Sequence, residues 1–268
     1  MQKNTIKERL KSGGVVYGTS LGGCLEPELP LVLAAAGLDF FFIDTEHSTT
    51  TYEQIQHLCR TGRGAGVIPL VRVALNESWM ISRALDVGAM GIIVPHINSA
   101  AEARAAMDAI KFPPLGYRGY GLGSIITDLK GNSAQEEVDS SNRETMAIMM
   151  IESQEGVAAV DEIASVPGVD ALFIGPYDLS LALGILEQFD SPVYWNALEK
   201  VINAGAKAGI AVGLQSKNMP MLLRARDMGA RFIIYSSDFS ILLDGYKKGL
   251  CDLKIMIPEA PSRTTRPR

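Results

Sequence analysis

The sequence predicts an α/β fold, a single-domain (β/α)8 TIM barrel. Apolar runs of strand length alternate with segments of helical periodicity. Several runs are apolar at every position, which is typical of strands covered on both faces. A glycine also recurs where a predicted helix meets the next strand. Eight strands separated by helices imply right-handed parallel crossovers, which close naturally into a barrel.

An open, doubly wound sheet is the alternative fold. Its nucleotide-binding fingerprint is missing, because Gly121-Leu122-Gly123 lacks the third glycine and follows no predicted strand. The barrel is therefore the preferred prediction.

The composition is that of a globular chain with a large core. Of the 268 residues, 47% are hydrophobic and 21% are charged. We expect one barrel domain at residues 1–255 and a disordered tail rich in Pro, Ser, Thr and Arg at residues 256–268. A net charge of -5 gives no reason to expect nucleic acid or an anionic membrane as a partner, so a small molecule is the expected ligand.

The sequence also predicts a cytoplasmic location. Its three cysteines form no Cys-x-x-Cys pair, so neither a disulfide framework nor a thiolate metal site is expected. The first ten residues are polar and helix-prone, which argues against a secretory signal. No apolar run approaches the roughly 20 residues that a membrane-spanning helix needs.

The first half of the chain follows the alternation closely. Gly13-Gly14 ends a surface helix predicted at residues 2–12. The run Phe40-Phe41-Phe42-Ile43 opens a strand that must be covered on both sides, because side chains alternate between faces. The other predicted elements here are strands at 15–20, 68–73 and 91–95 and helices at 27–36, 50–63, 78–87 and 100–110.

A glycine-rich segment at residues 112–123 interrupts the alternation. It is too long for an ordinary connection, so we expect an active-site loop there. The alternation then resumes, with Gly168 and Gly229 marking helix-to-strand joints. The predicted elements that follow are helices at 134–144, 155–165, 192–208 and 218–228 and strands at 146–152, 171–175, 210–214 and 231–236.

Ionisable side chains follow the ends of four predicted strands. Since the carboxyl ends of barrel strands share one rim, these side chains are expected to converge there. The residues are Asp44, Glu46, His47, Arg72, Glu152 and Asp178.

Glu152 and Asp178 are the candidate metal ligands. Two carboxylates without nearby cysteine suit a hard divalent ion such as Mg²⁺ or Mn²⁺. The alternative is that each carboxylate caps the helix that follows it.

Arg72 ends a buried run, and its guanidinium must find an anion. Either it binds substrate or it forms an ion pair with Asp44 or Glu46 on the neighbouring strand. His47 is the preferred general base, because Asp44 and Glu46 lie close enough in sequence to fix its tautomer. His96 is the rival base.

The turn Gly175-Pro176-Tyr177-Asp178 leads from a strand into a helix. Its backbone N–H groups could hold a substrate carboxylate, although an ordinary βα turn is the alternative. Predicted barrel strands carry no lysine for a Schiff base, and Gly-x-Ser-x-Gly and His-Glu-x-x-His motifs are missing. Metal-assisted enolate formation is the chemistry that remains.

Five segments together resemble the HpcH/HpaI family of class II pyruvate aldolases, which includes the 2,4-dihydroxyhept-2-ene-1,7-dioate and 2-dehydro-3-deoxyglucarate aldolases. The resemblance covers roughly residues 5–250. The segments are Asp44-Thr45-Glu46-His47, Val71-Arg72, Pro113-Pro114-Leu115-Gly116-Tyr117-Arg118-Gly119, Ile151-Glu152 and Phe173-Ile174-Gly175-Pro176-Tyr177-Asp178-Leu179-Ser180.

The resemblance implies cleavage of a 4-hydroxy-2-oxoacid to pyruvate and an aldehyde. Glu152 and Asp178 would bind Mg²⁺, Mn²⁺ or Co²⁺, and Arg72 would stabilise the enolate oxygen. His47, oriented by Asp44, would move a proton through water, and the backbone at Gly175–Asp178 would hold the carboxylate. The resemblance also implies a last helix exchanged between subunits and a hexamer, a dimer of trimers.

Two positions depart from the family's pattern. Met150 stands where relatives commonly have a glutamine that binds the pyruvate carboxylate, and His96 stands where relatives often have an apolar residue. Met150 motivates an alternative, another metal-enolate lyase or decarboxylase such as an oxaloacetate decarboxylase or an enzyme like macrophomate synthase. A catalytically silent binding barrel is the third hypothesis.

Overall fold

The computed structural model describes residues 1–121 and 133–257. Eight parallel strands form a closed barrel in sequence order, as predicted. The strands are β1 Val16–Leu21, β2 Phe40–Asp44, β3 Ile68–Arg72, β4 Gly91–Val94, β5 Met146–Ile151, β6 Ala171–Ile174, β7 Ala211–Ser216 and β8 Phe232–Ser237.

Twelve helices within the described residues surround this barrel. They are α1 Thr5–Lys11, α2 Leu29–Ala35, α3 Tyr52–Ala65, α4 Ser78–Asp86, α5 Ala100–Ile110, α6 Ala134–Glu144, α7 Gln154–Ala158, α8 Val160–Ala164, α9 Pro176–Ala182, α10 Pro192–Ala208, α11 Met219–Asp227 and α12 Asp238–Met256. No helix in this part of the chain is long and apolar enough to span a membrane.

The core has two layers, which alternate along each strand. Phe40 and Phe42 belong to the cluster inside the barrel, whereas Phe41 and Ile43 pack in the layer between barrel and helices. This two-sided burial explains why the strand is apolar at every position. Inside the barrel, Phe40 stacks on Phe232 with ring centroids 4.5 Å apart.

The alternation of inward and outward side chains continues into the ionisable residues at the rim. Asp44, Arg72 and Glu152 follow the inward positions of β2, β3 and β5 by two residues each. A strand period of two therefore directs all three side chains toward the barrel axis. The site is built where the apolar filling of the barrel ends.

One predicted element differs from the structure. The helix predicted at 155–165 is divided into α7 and α8 around Ala159. The turn that begins at Gly175 leads into a helix as predicted, the short helix α9. Gly168 and Gly229, predicted at helix-to-strand joints, both have positive φ, as do Gly37 and Gly88 at the joints before β2 and β4.

The described part of the predicted active-site loop, residues 112–121, lies away from the rim. Arg118 Nη2 donates to Asp86 Oδ1 at 2.6 Å at the C-terminal end of α4. The Tyr120 hydroxyl donates to Glu137 Oε2 at 2.6 Å. Because helix C-termini lie at the opposite end of the barrel from the site, this part does not form an active-site loop; residues 122–123 are outside the described residues.

Helix α12 projects from the barrel without burying any residue. Apolar side chains along its length are exposed, among them Phe239, Leu243, Tyr246, Leu250 and Leu253. The expected boundary between domain and tail at residue 255 falls one residue before the end of α12, and residues 258–268 are outside the described part of the chain.

Gly213 on β7 provides a test of the barrel packing. A Cβ at this position would lie 1.9 Å from the backbone oxygen of Phe232 on β8. We expect Gly213→Ala to reduce the free energy of unfolding by about 1–3 kcal/mol, because the strands must separate to accept a methyl group.

Gly64→Ala is the matched control, because nothing lies within 4 Å of a Cβ at this exposed position in α3. It should be neutral or stabilising by up to about 1 kcal/mol. Urea denaturation of both variants measures the difference, and equal stabilities would contradict this account of the β7–β8 contact.

Candidate active site

A cavity of about 580 Å³ opens at the carboxyl ends of the strands. It extends from His47 after β2 and Arg72 on β3, past Asp178 after β6, to polar side chains of β7 and β8 and the residues that follow them. Its lining comprises His47, Arg72, Met150, Phe173, Gly175, Pro176, Tyr177, Asp178, Phe189, Gln215, Ser216, Lys217, Met221, Ser236, Ser237 and Ser240.

Arg72 is held by carboxylates of the neighbouring strand. Its Nε and Nη2 donate to the two oxygens of Asp44 at 2.9 and 2.5 Å, and Nη1 lies 3.2 Å from Glu46 Oε2. Burial lowers the pKa of Arg72, but the hydrogen bonds and charge of Asp44 and the charges of Glu46 and Glu152 outweigh it and raise the pKa overall. The guanidinium is thus a permanent, oriented cation.

This geometry shows the ion pair that one interpretation of Arg72 predicted, and it leaves substrate binding by Arg72 open. The ion pairs with Asp44 and Glu46 are present. The Asp44 carboxylate accepts from Arg72 and from the backbone N–H groups of Glu46 and His47, the latter two at 3.0 and 3.4 Å. It makes no hydrogen bond to the His47 ring in this structure, so the orientation of His47 by Asp44 stays a prediction.

His47 lies at the cavity wall with its side chain 65% exposed. Its Nε2 is 3.9 Å from Glu46 Oε2, beyond hydrogen-bonding distance. The ring is therefore accessible to solvent and substrate and is not locked in one tautomer by a direct contact.

His96 bridges two carboxylates. Its Nδ1 lies 2.9 Å from Glu152 Oε1 and its Nε2 lies 2.9 Å from Glu46 Oε1. Its backbone N–H also donates to Glu152 Oε1 at 2.8 Å. The Nε2 contact with Glu46 has hydrogen-bond geometry, whereas the Nδ1 contact with Glu152 is an approach within ion-pair distance.

The backbone conformation of His96 makes this bridge possible. The inward positions of β4 include Ile93, so simple alternation would direct residue 96 away from the axis. His96 instead has φ of 55°, which breaks the extended path. A non-glycine residue in this region costs about 1–3 kcal/mol and is frequent at functional sites.

Glu152 presents one oxygen without a partner. Oε1 takes the His96 contacts, whereas Oε2 is buried and makes no hydrogen bond. Burial raises the pKa of this carboxyl, the charges of Asp178 and Glu46 act in the same direction, and His96 opposes them. An unsatisfied buried carboxylate oxygen near a second carboxylate is suited to a hard divalent cation.

The described residues contain no cluster of three or more His, Cys, Asp or Glu side chains in metal-binding geometry. Glu152 and Asp178 would therefore supply two protein ligands. The remaining positions would be open for substrate oxygens and water, which is typical of sites where the ion also contacts substrate.

Gly175 allows the chain to pass close to this carboxylate. A Cβ at Gly175 would lie 2.5 Å from Glu152 Oε2 and 2.6 Å from Met150 Cε. Pro176 then begins α9, so the N–H groups of Tyr177 and Asp178 are in the first turn, where no intrahelical acceptor exists. These groups border the cavity.

Met150 and Phe173 give the cavity an apolar floor. Met150 Sδ lies 3.9 Å from Arg72 Nη1, and Phe173 packs against Phe42 inside the barrel. A thioether is at most a weak acceptor and cannot donate a hydrogen bond to a carboxylate.

Sequence reasoning missed the β7–β8 side of the cavity. Gln215 Nε2 donates to Ser20 Oγ at 2.6 Å and to the Ser236 carbonyl at 2.7 Å. Lys217 follows β7 directly and lines the cavity. Inward alternation from Ala211 through Gly213 could have indicated Gln215, but nothing in the sequence indicated where Lys217 would lie.

Comparison with known proteins supplies the family context. A model of the HpcH/HpaI aldolase/citrate lyase family matches residues 26–244. A hydroxypyruvate/pyruvate aldolase of Paraburkholderia phytofirmans is 32% identical over 257 residues, covering 94% of this chain and 98% of its own length.

A 4-hydroxy-2-oxo-heptane-1,7-dioate aldolase of Salmonella paratyphi C is 31% identical over 243 residues, covering 91% of this chain and 92% of its own. The crystal structure of an HpcH/HpaI aldolase from Desulfitobacterium hafniense superposes with a TM-score of 0.89 at 35% identity, covering 97% of this chain and 98% of that one.

The His96 bridge predicts a cost for its removal in the metal-free protein. His96→Ala leaves the Glu46 and Glu152 carboxylates without the group between them, so we expect the free energy of unfolding to fall by about 1–3 kcal/mol. Urea denaturation in the presence of EDTA measures this.

His57→Ala is the control, because His57 lies on the outer helix α3 and its ion pair is weak. This pair joins His57 to the exposed Glu53 at 3.8 Å. It should change stability by less than about 0.5 kcal/mol. The bridge would be energetically unimportant if the two variants were equally stable.

Proposed function

The chain belongs to the HpcH/HpaI aldolase/citrate lyase family, and we propose that it is a divalent-metal-dependent lyase that reversibly cleaves a 4-hydroxy-2-oxoacid into pyruvate and an aldehyde. Aldolase-named relatives of matching length support the reaction class. The observation that carries the proposal is the buried, unpartnered Glu152 Oε2. It lies directly behind Gly175, a cavity-lining residue at which a Cβ would be 2.5 Å from it, and Asp178 and Arg72 line the same cavity.

Glu152 and Asp178 would hold the ion, with Mg²⁺, Mn²⁺ and Co²⁺ as the expected candidates. When bound, the ion would act as a Lewis acid on the 2-oxo group of the substrate. Glu152 is prepared for this role because its Oε1 is occupied by His96 while its Oε2 is free.

Arg72 would stabilise the oxygen that becomes an enolate. Its guanidinium is oriented by two bonds from Asp44 before substrate arrives. A donor fixed in advance stabilises developing charge without the cost of reorganisation, an effect worth about 3–4 kcal/mol in measured cases. Asp44 is therefore a positioning residue for Arg72 in this proposal.

His47 would transfer the proton to or from the aldehyde's oxygen through water. Its exposed ring at the cavity wall allows such a relay. His96 is less suited to be the base, because both of its ring nitrogens already contact carboxylates.

The backbone around Gly175, Pro176, Tyr177 and Asp178 would bind the pyruvate carboxylate with its free N–H groups. Met150 adds no hydrogen bond there. We propose that this backbone and the ion carry carboxylate binding without help from the position that Met150 occupies.

The second candidate is another metal-enolate reaction, decarboxylation or lysis of an acid such as oxaloacetate. The specific observation is Met150 Sδ against Arg72 Nη1 at 3.9 Å. The apolar Met150 side chain beside the Arg72 guanidinium would favour a reaction that releases a neutral molecule such as CO₂. Comparison of oxaloacetate with 4-hydroxy-2-oxoacids as substrates separates the two reactions.

Removal of the ion should abolish catalysis. EDTA-treated protein should lose pyruvate release and C3 proton–deuteron exchange of pyruvate, and Mn²⁺ should restore both. Glu152→Gln should weaken Mn²⁺ binding in calorimetry at least about tenfold, since it removes a charged ligand of the ion.

The matched control is Glu162→Gln on the exposed face of α8, which should bind Mn²⁺ as the wild type does. Activity that survives EDTA, or Mn²⁺ affinity that survives Glu152→Gln, would rule out the proposed metal site.

We further propose that α12 is exchanged with a neighbouring copy in a homohexamer, a dimer of trimers. Its apolar side chains are exposed in the single chain, and none of its residues is buried. An apolar patch of this length on a single chain marks an interaction surface. A cytoplasmic location is proposed with it, supported by three free cysteines.

Substitutions on α12 should break this assembly. Leu243→Glu with Leu250→Glu should shift the protein to a smaller species in light scattering, because two charges would enter an apolar contact. The double substitution of Lys247 and Lys248 by Glu, on the same helix, tests the effect of charge alone. A monomeric wild type would contradict the exchange.

A further inference from the structure

We infer that the β7–β8 side of the cavity is a subsite for an anionic group at the far end of the aldehyde portion, with Lys217 as the cation that recognises it. This inference rests on the proposed function and names its substrate class more narrowly. The subsite comprises Ser216, Lys217, Ser236, Ser237 and Ser240, which all line the cavity.

The cavity is larger than a three-carbon ketoacid requires. Its volume of about 580 Å³ lies within the range of about 300–1,000 Å³ that is typical of pockets for drug-sized ligands. Pyruvate placed between Arg72 and Asp178 would leave the β7–β8 side open for the rest of the substrate.

Lys217 is a cation without a partner among the described residues. It makes no hydrogen bond or ion pair there. Arg72, the other lysine or arginine in the lining, is already paired with Asp44 and Glu46. Lys217 thus has its charge available for a ligand.

The carboxylate at the start of α12 does not compete for Lys217. Asp238 Oδ2 accepts from the backbone N–H groups of Gly22, Gly23 and Cys24 at 2.7–3.1 Å. Asp238 Oδ1 accepts from the N–H of Phe239 at 2.8 Å. Its lone pairs are directed to the backbone, so the subsite keeps its positive character.

Hydroxyl groups around Lys217 can donate to a ligand. Ser216 Oγ accepts from the N–H of Asn218 at 3.0 Å and keeps its own proton free. The Ser237 hydroxyl donates to Ser240 Oγ at 3.0 Å, which leaves the Ser240 proton free. A lysine with free hydroxyl donors favours a carboxylate or phosphate over a neutral group.

Ser236 is the second, independent observation. It is 4% exposed, its Oγ has no hydrogen-bond partner, and its φ is 58°. An unsatisfied buried hydroxyl in a sparsely populated backbone conformation is unusual outside functional sites. Gln215 holds its carbonyl in place at 2.7 Å.

The opposite side of the cavity sets the direction of the substrate. Asp44, Glu46 and Glu152 lie at the ends of β2 and β5, which are not neighbours of β7 or β8 in the barrel. A distal anion would be repelled from these carboxylates and attracted to Lys217, so the charge distribution selects one orientation.

Matched aldehyde pairs test the inference, with pyruvate and Mn²⁺ present in the aldol direction. The carboxylate pair is succinic semialdehyde and butanal, and the phosphate pair is glyceraldehyde 3-phosphate and glyceraldehyde. Wild type should prefer the charged member of at least one pair about tenfold or more in kcat/KM, and the better pair identifies the anion. This preference should decrease in 0.5 M KCl.

Lys217→Met should reduce that preference to within about twofold, whereas Lys217→Arg should retain most of it. Lys207→Met on α10 is the control, because Lys207 pairs with Asp161 outside the cavity; it should keep the wild-type preference. A wild type without preference in either pair, or a Lys217→Met variant that keeps it, would overturn the inference.

Deuterium exchange at C3 of pyruvate, measured without aldehyde, separates failure of the anion subsite from failure of the proposed aldolase function. Exchange with no charge preference overturns the subsite alone. Absence of exchange in metal-loaded wild type overturns the enolate chemistry, and the subsite with it.

Discussion

The alternation of side chains along eight buried parallel strands is the constraint on which the rest of this molecule depends. Each strand must fill the barrel with one set of residues and contact the helices with the other. At the carboxyl ends the same period continues into polar residues, so Asp44, Arg72 and Glu152 point to the axis. Apolar filling such as the Phe40–Phe232 stack lies beneath them and excludes water.

Electrostatics then organises the rim into two unlike halves. On one half, Arg72 and His96 connect the carboxylates of Asp44, Glu46 and Glu152 into one network. This network leaves one buried carboxylate oxygen of Glu152 without a partner, and the proposed divalent ion would bind there. On the other half, hydroxyl groups and Lys217 provide donors and a free positive charge.

Membership of an aldolase and citrate lyase family fixes the reaction class but not the substrate. Met150 and His96 show how this chain varies the site. Met150 brings an apolar group against the cation, and His96 adds a bridge between two carboxylates. Both side chains contact the ionisable groups of the rim.

The sequence by itself determined the barrel, the order of its eight strands and the rim residues after β2, β3, β5 and β6. It could do so because burial on both faces leaves continuous apolar runs, and polar residues at their ends are visible in the chain. It also allowed an ion pair of Arg72 with Asp44 or Glu46.

Only the tertiary structure decided which groups touch. Asp44 binds Arg72 and not the His47 ring, because the register of β2 against β3 sets Asp44 beside Arg72. His96 reaches the axis through a left-handed residue that no periodicity predicts. Lys217 joins the cavity because the closed ring places the end of β7 on the same rim as the ends of β2 and β3, a proximity that depends on barrel closure and not on local sequence.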